Sequence, residues 1–334
     1  MESDKDAVTE PPQTKSLKSV RKPSAFRWLY KWVILLICIT VSNIVLTYGC
    51  SRWDAPMHRV VRVAGETTPA PGPTLRLAAY NIAHGRGSAM DADNQRWQSS
   101  EEVKDHLAKI AEQVRLAQID ILVLNEADFR SSWSFRVNQA EVLSESTGLT
   151  HRLQQRNMEV ALPWRKYAFG NAILSRYPIV DFAFIKFPPL SGLENAVAGN
   201  HDGCWADIQT PDGTLRVFAI HLEYRDEATR VACAEILNQQ ILSAPHPVVL
   251  LGDFNSAPSF CNGHNVAADG QNAVDLLWAN GLTSPEPEAG WGTYLTFPSL
   301  QPSRAIDWIL TPSSVIRTHS GGKFYLIRSP HDLV

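Results

Sequence analysis

The stretch LLGDFNSAP, residues 250–258, decides how the fold is interpreted. An apolar run stops at Gly252, and Asp253 and Asn255 follow, two positions apart. Side chains alternate along an extended chain, so both of these side chains point to the same side at the end of a buried strand. Asp, Asn, Gly and Pro are also the usual residues of an Asx turn. By itself the stretch therefore fits either a turn or a site for a cation or a phosphoryl oxygen.

Four more apolar strands carry a polar residue of this kind at an end. These are Asn81 after LAAY, Glu126 after ILVLN, His221 after VFAI, and Asp307 within AIDWIL. Each one alone has an ordinary explanation as a turn residue, a helix cap, a core histidine or a paired buried acid. Together, the five strand ends predict side chains that converge on one rim of an α/β fold, where such folds place their sites.

The remaining pattern is typical of a single mixed α/β domain over residues 75–334. Ser99 and Glu102 are spaced as a capping box, and Val103, Leu107, Ile110 and Val114 share one face of the helix that follows. A second helix over residues 226–242 presents Ala228, Val231, Ala234, Leu237 and Ile241. Strands are predicted over residues 75–82, 119–126, 171–176, 215–222, 248–253 and 305–310.

An uncharged segment, WVILLICITVSNIVLTY, covers residues 32–48. It is at the short end of the range for a membrane span, and the basic residues before it outnumber those after it. The sequence therefore predicts an uncleaved, single-pass signal anchor with a cytoplasmic N-terminus and an extracytoplasmic domain. A cleaved signal peptide and lipoprotein processing at Cys50 are the alternatives. The predicted division is a basic tail (1–27), a transmembrane segment (28–48), a linker (49–74) and the domain (75–334).

Charge and cysteine content restrict the function further. Residues 32–334 contain 24 Lys and Arg against 30 Asp and Glu, so this part of the chain is mildly acidic. Avid, non-specific binding of nucleic acid normally needs a basic surface, and it is disfavoured here. Cys204, Cys233 and Cys261 lack the spacing of a zinc site, and they allow one disulfide with a spare thiol without choosing the pair.

Seven motifs, in this order, resemble those of the endonuclease/exonuclease/phosphatase superfamily. They are YNIAHG, LNEAD, GNAILSR, AIHLE, LLGDFNSAP, AIDWIL and SPHDLV. This superfamily includes pancreatic deoxyribonuclease-like and sphingomyelinase-like metal-dependent phosphoesterases. The resemblance covers residues 75–334 and implies a four-layer α/β sandwich, in which two mixed, mostly antiparallel sheets are flanked by helices.

The resemblance also implies a magnesium site, with Mn²⁺ as a substitute ion. Glu126 would be the principal ligand, with Asn81 beside it. Mg²⁺ prefers oxygen ligands and commonly takes only one or two carboxylates, with water and substrate oxygens completing its shell. His84 and Asn171, which lie in the first and third motifs, would contact the substrate.

Five further residues would carry the catalysis. His221 would contact or protonate the scissile phosphate, and Asp253 would orient or deprotonate the attacking water. Asn255 would hold a non-bridging oxygen. Asp307 would pair with His331 and favour its imidazolium form next to the phosphate.

The last motif departs from the family pattern, because Pro330 precedes His331 where members usually have Asp. The missing acid normally assists at the metal, which puts a second metal in question. Asp332 lies on the same side of a strand as Pro330 and either reaches the ion through a water or is a surface residue. The surface residue is the favoured interpretation.

These expectations describe a membrane-anchored, Mg²⁺-dependent phosphoesterase, with a phosphodiester as the favoured substrate. A phospholipid, a nucleic acid and a small phosphodiester all remain open as substrates, and no obligate protein partner is implied. The alternatives are a DNA or RNA endonuclease, and a non-catalytic binding module that keeps the fold.

Overall fold

An apolar helix, α1 (Ala25–Asp54), is the first element that the structure describes. It contains the predicted segment 28–48, and its apolar part, Phe26–Leu46, is 21 residues long with none of its residues buried. Asn43 donates its side-chain amide to the Ile39 carbonyl at 3.0 Å, which satisfies this polar group within the helix. A helix of this length and composition can cross a membrane, and an N-terminal signal sequence meets the same description.

The structure, a computed structural model, describes part of the chain. The described residues are 25–54, 75–87, 99–162, 164–188, 201–261, 263–284, 295–298 and 301–312.

The first sheet has four strands. Its strands and the helices between them are β1 (Leu77–Asn81), α2 (Ser100–Leu116), β2 (Ile121–Asp128), α3 (Gln139–Thr147), β3 (His151–Leu162) and β4 (Arg165–Ser175). The strand order is β1-β2-β4-β3. Strands β1 and β2 are parallel, and the other two neighbouring pairs are antiparallel. Parallel neighbours need a crossover connection, and α2 supplies it here.

The second sheet has six strands. Its strands and helices are β5 (Ile179–Ile185), β6 (Gly203–Thr210), β7 (Gly213–His221), α4 (Glu227–Leu242), β8 (Val248–Asp253), α5 (Ala273–Ala279), β9 (Leu282–Thr283) and β10 (Asp307–Pro312). The strand order is β5-β6-β7-β8-β10-β9. Again one pair, β7 and β8, is parallel and is joined by a helix, α4, while the other pairs are antiparallel.

Three apolar clusters arrange these elements in four layers. One cluster lies between the two sheets and includes Val123, Ile173, Val217 and Leu251. A second packs the outer face of the first sheet against α2 and α3, and a third packs the outer face of the second sheet against α4 and α5. Strands covered on both faces read as continuous apolar runs, as in VFAI and VVLL. The predicted sandwich of two mixed sheets flanked by helices is confirmed.

Helix α2 begins and packs as its sequence predicts. Ser99 Oγ accepts a hydrogen bond from the Glu102 backbone at 3.2 Å, and the Glu102 carboxylate accepts one from the Ser99 backbone at 2.8 Å. This reciprocal pair is the capping box. The buried face contains the four predicted residues, Val103, Leu107, Ile110 and Val114.

Helix α4 differs from the prediction in its first turn. Ala228, expected in the core, is exposed, whereas Glu227 and Arg230 are buried. The two charges pair at 2.7 Å, and the other carboxylate oxygen of Glu227 accepts a hydrogen bond from Ser256 Oγ at 2.8 Å. Polar contacts with the loop after β8 therefore set the orientation of this turn. Further along, the helix buries residues predicted from its periodicity, namely Val231, Ala234 and Leu237.

The described cysteines beyond α1 carry free thiols. Cys204 and Cys233 are buried, and Cys261 is partly buried. Burial raises the pKa of Cys204 and raises that of Cys233 to about 12, so both thiols stay protonated at neutral pH. The disulfide that the sequence left open is not formed in the described part of the chain.

Candidate active site

Strand ends from both sheets meet at one edge of the sandwich. In the first sheet, Asn81 at the end of β1 lies opposite Asn125 on β2. In the second sheet, Asp253 at the end of β8 lies between His221 of β7 and Asp307 of β10. The strand registers thus place residues that were predicted from separate motifs next to one another.

The Asn81 side chain links the two sheets. Its Nδ2 donates to Glu126 Oε1 and to Asp253 Oδ2, each at 3.0 Å, while its Oδ1 accepts from the Ala83 backbone at 3.1 Å. His221 Nε2 lies 3.8 Å from the same Glu126 Oε1. Two carboxylates and an imidazole from different strands therefore surround one amide group.

A β-bulge aims Glu126 at this point. The register between β2 and β4 shifts between Leu124 and Ala127, and Glu126 has a left-handed φ of 52°. An extra residue in one strand turns the following side chain away from the regular alternation. Glu126 therefore faces the site with a side chain that is 25% exposed, whereas Asn125 is fully buried.

Buried amides support the site from behind. Asn125 Nδ2 donates to Asn171 Oδ1 at 2.8 Å and to the Ile220 carbonyl at 3.0 Å, and Asn125 Oδ1 accepts from the Asp253 backbone at 3.0 Å. Asn171 Nδ2 donates in turn to Gln155 Oε1 at 2.8 Å. Asn171, predicted to contact substrate, is fully buried and bonded to protein groups, so the structure places it behind the site and not at its surface.

The loop after β8, which contains the end of LLGDFNSAP, forms a turn and also contributes to the site. Asp253 Oδ1 accepts from the Asn255 backbone at 2.9 Å, which is the hydrogen bond of an Asx turn. Asp253 Oδ2 meanwhile accepts from Asn81, and Asn255 Nδ2 donates to the Leu222 carbonyl at 2.9 Å. The two interpretations of this stretch are therefore both correct. Residues 253–255 form an Asx turn, and that turn holds the Asp253 carboxylate in the site.

Burial and neighbouring charges shift the pKa values of the three carboxylates of the site. Burial opposes ionisation of Glu126, but the charges of His84 and His221 and the hydrogen bond from Asn81 outweigh it and lower the pKa of Glu126. Burial raises the pKa of Asp253, and the charge of Glu126 adds to this. Burial and the charge of Asp253 hold the pKa of Asp307 well above its ordinary value.

Two further histidines lie close to Glu126. His84 Nε2 is 3.5 Å from Glu126 Oε2. Burial opposes the protonation of His84, but the hydrogen bond and charge of Asp128 outweigh it and raise the pKa of His84. The His201 ring lies 5.2 Å from that of His221, and burial together with the charge of His221 lowers the pKa of His201 to about 3. His201 is therefore a neutral imidazole at physiological pH.

Comparison with known families agrees with the order of these motifs. The model of the Endonuclease/Exonuclease/phosphatase family matches residues 78–325. The chain belongs to this family. Members usually hydrolyse phosphate esters.

Several solved structures are similar to this member of the family at low identity. An endonuclease/exonuclease/phosphatase from Beutenbergia cavernae DSM 12333 is 19% identical, with a TM-score of 0.46 over 71% of this chain and 64% of that one, so the match spans less than two thirds of its length. The mannosyl-6-phosphatase Bt3783 of Bacteroides thetaiotaomicron VPI-5482 is 16% identical, with a TM-score of 0.45 over 71% of this chain and 85% of that one. ANGEL2, a 2',3'-cyclic phosphatase, is 16% identical, with a TM-score of 0.49 over 73% and 82%. No curated protein matches the chain.

Part of the family pattern lies outside the described residues. His331, Pro330 and Asp332 belong to the segment after residue 312, so the pairing of Asp307 with His331 stays a prediction. Within the described part of the chain, Asp307 donates its backbone N–H to Thr296 Oγ1 at 3.3 Å.

Three residues at the site were not predicted from the sequence: Asn125, Asp128 and His201. Asn125 and Asp128 lie on either side of Glu126 in NEAD, where polar residues interrupt an otherwise apolar strand. This interruption could have identified both as candidate site residues. His201 stands in GNHDG, with no periodicity around it. Only the structure shows that its Nε2 is buried with no hydrogen-bond partner among the described residues, and that its ring contacts His221.

Proposed function

We propose that this chain is a membrane-anchored, Mg²⁺-dependent phosphoesterase that hydrolyses a phosphodiester by metal- and histidine-assisted attack of water. One observation carries the proposal. The Asn81 amide lies 3.0 Å from both Glu126 and Asp253, so carboxylates from two sheets meet at a single point beside His221. A fold stabilised by packing alone gains nothing from gathering like charges there.

The donor set fits a hard divalent cation. Within the described residues no group of three or more His, Cys, Asp or Glu side chains is arranged as a metal cage. Mg²⁺ does not require one, because it keeps several waters and commonly binds one or two carboxylates. Glu126 would be the main ligand with Asn81 beside it, and a cation would favour turning the Asn81 carbonyl oxygen toward it. Burial is the largest cause of the raised pKa values of Asp253 and Asp307, and a neighbouring carboxylate adds to each, so a bound cation would offset this charge.

When bound, Mg²⁺ would offset the negative charge that builds up on the phosphate and on the attacking water. The protein residues supply the remaining functions. Asp253 would accept a proton from the water, and its raised pKa makes it a stronger base than an ordinary Asp. His221 Nε2 would donate to a phosphate oxygen.

Two further contacts complete the proposed mechanism. Asn255 bonds to the Leu222 carbonyl through one N–H of its side-chain amide, and the second N–H would hold a non-bridging oxygen. Asp307 would orient His331, as the family resemblance implies.

The proposed location outside the cytoplasm rests on α1 and on the basic residues before it. The mildly acidic domain favours a phospholipid or a small phosphodiester over long nucleic acid, because a nucleic-acid groove normally carries net positive charge. An N-terminal anchor would keep the site close to a lipid substrate.

Hydrolysis by the purified full chain in detergent tests the proposal. The substrates are bis-p-nitrophenyl phosphate, p-nitrophenyl phosphate, plasmid DNA and sphingomyelin, each with Mg²⁺, with Mn²⁺ and with EDTA. We expect metal-dependent turnover of a diester. Asp253→Asn should lower kcat by about 10²–10⁴-fold, the usual contribution of a positioned base. Glu126→Gln should raise the Mg²⁺ concentration needed for half-maximal activity.

Glu235→Gln provides the matched control, since Glu235 is an exposed carboxylate on α4. It should keep wild-type activity. If the folded wild type turns over no substrate with either metal, the chain is a binding module that keeps the family fold. If Asp253→Asn retains full activity, Asp253 is not the base.

A further inference from the structure

The His84 ring is held between two carboxylates. Its Nδ1 is 3.0 Å from Asp128 Oδ1, and its Nε2 is 3.5 Å from Glu126 Oε2. The Asp128 contact has the length of a hydrogen bond, whereas the Glu126 contact is longer than the about 2.7–3.2 Å of an N–H···O bond. His84 is therefore bonded firmly on one side only. On its other side, Nε2 and the Glu126 carboxylate face each other across a gap.

Buried groups fix the acid behind His84. Asp128 is fully buried, and its Oδ2 accepts from Trp133 Nε1 at 2.7 Å. Its backbone N–H donates to Gln139 Oε1 at 2.9 Å, and Gln139 Nε2 donates to the His84 carbonyl at 2.6 Å. One side chain, Gln139, thus ties the backbone of the histidine to that of its acid.

The ring itself is also confined. It packs edge-to-face on Phe169 and on Trp133, with centroid distances of 4.9 and 5.0 Å, and the His84 side chain is only 11% exposed. The residue adopts a left-handed φ of 59°, which is uncommon for a non-glycine residue. Strained backbone of this kind persists where the surroundings over-determine it, and it is concentrated at functional sites.

We propose that His84 Nε2 binds the same divalent ion as Glu126, with Asp128 as its outer-sphere partner. A metal-binding histidine almost always donates its other ring N–H to a carboxylate, a carbonyl or water, and Asp128 is placed to accept that bond. Two donor atoms 3.5 Å apart can both lie at a bond length of about 2.1 Å from one ion.

A nitrogen ligand changes which ion the site selects. Carboxylate and water suit Mg²⁺, whereas imidazole suits later divalent ions, and Mn²⁺ accepts both kinds of donor. The site should therefore prefer Mn²⁺ over Mg²⁺ more strongly than an all-oxygen site. This inference rests on the proposed function, because it assigns a further ligand to the metal site proposed there.

Electron paramagnetic resonance of bound Mn²⁺ tests the assignment without any measurement of activity. The metal-free full chain in detergent is titrated with Mn²⁺ to obtain its affinity, and spin-echo envelope modulation then detects a coordinated ¹⁴N nucleus. We expect ¹⁴N coupling in the wild type and none in His84→Gln, with Mn²⁺ affinity lowered about 10–100-fold. Mg²⁺ affinity, measured by competition with Mn²⁺, should fall much less.

Control variants distinguish His84 from the other histidines. His246→Gln removes a histidine before the start of β8, far along the strand from Asp253, and should change neither coupling nor affinity. His201→Gln, His221→Gln and His331→Gln should all retain the coupling. Asp128→Asn should retain the coupling but weaken Mn²⁺ binding. These variants identify the ligand even if His84→Gln does not fold.

The outcomes separate this inference from the function on which it rests. Mn²⁺ bound by the wild type without ¹⁴N coupling, or with coupling that persists in folded His84→Gln, overturns the role of His84 and leaves the metal-dependent function standing. Absence of stoichiometric Mn²⁺ binding by the folded wild type overturns both.

Discussion

Gly252→Ala tests how closely β7 and β8 must approach to build the site. Gly252 has a φ of 138°, and a Cβ added there would lie 1.9 Å from the Ile220 carbonyl oxygen and 2.9 Å from Asn125 Oδ1. The first contact is with backbone in the neighbouring core strand, which cannot rotate away. Asp253 follows directly in the chain, so any displacement of β8 is passed on to the site.

The size of the effect follows from two contributions. Overpacking a core costs about 1–3 kcal/mol. A backbone conformation that L side chains rarely adopt costs about 1–3 kcal/mol more. We therefore expect the free energy of unfolding to fall by about 4 kcal/mol, which in a domain of this size lowers the melting temperature by about 8–16 °C.

Gly213→Ala is the matched control. Gly213 has a φ of 125°, yet apart from its chain neighbours no atom of the described residues lies within 4 Å of an added Cβ, so this variant carries the backbone strain without the overlap. Thermal melts of both variants as full chains in detergent, followed by tryptophan fluorescence, give the comparison. Gly252→Ala should melt several degrees below Gly213→Ala. Equal melting temperatures would refute the claim that close strand approach requires glycine in this motif.

Three further predictions concern polar groups at or behind the site. Asn125→Leu removes the partner of three hydrogen bonds and should lower the free energy of unfolding by about 2–4 kcal/mol. Urea titration measures this value, and an unchanged free energy of unfolding would mean that these bonds contribute nothing to stability. Because the pKa of Asp307 is raised, its favourable contribution to stability is complete below its unfolded pKa of about 3.9 and is lost as the pH rises through the folded value. Asp307→Asn should therefore raise the melting temperature of the metal-free chain at pH 7 and leave it unchanged at pH 4. If the variant instead melts at a lower temperature than the wild type at pH 7, Asp307 has a cationic partner such as His331. The pKa of His201 is lowered to about 3, so ¹⁵N NMR should find its imidazole neutral at pH 5, where an ordinary histidine is protonated.

The elements that could be predicted from sequence are those with simple periodicity. Strands β1, β2, β7, β8 and β10 are apolar runs with a polar end, and α2 carries both its cap and its apolar stripe. Strand β3 was missed because HRLQQRNMEVAL contains few apolar residues. Its buried charges are compensated by ion pairs that are invisible in a sequence pattern, including Arg152 with Glu141 at 2.7 Å.

The sequence predicted which residues form much of the candidate site, but it did not predict how these residues are arranged in space. The motif resemblance named Asn81, Glu126, His221 and Asp253, and the structure brings these four together. The contact between His84 and Asp128 depends on the bulge in β2 and on Gln139, the first residue of α3. Such tertiary geometry has no local signal, which is why Asp128 was not predicted and why Asn171 was expected to contact the substrate.

Asn81 and Glu126 belong to the first sheet, whereas His221 and Asp253 belong to the second. The two sheets form two halves of the domain, and the hydrogen bonds of Asn81 and Asn125 with Asp253 join these halves at the site. A nascent polypeptide of which only the first sheet has left the ribosome therefore holds half of the candidate site. Under the proposed function, hydrolytic activity can appear only after the second sheet has packed against the first. A protease that cut between the two halves and separated them would disperse the candidate site without altering any of its side chains.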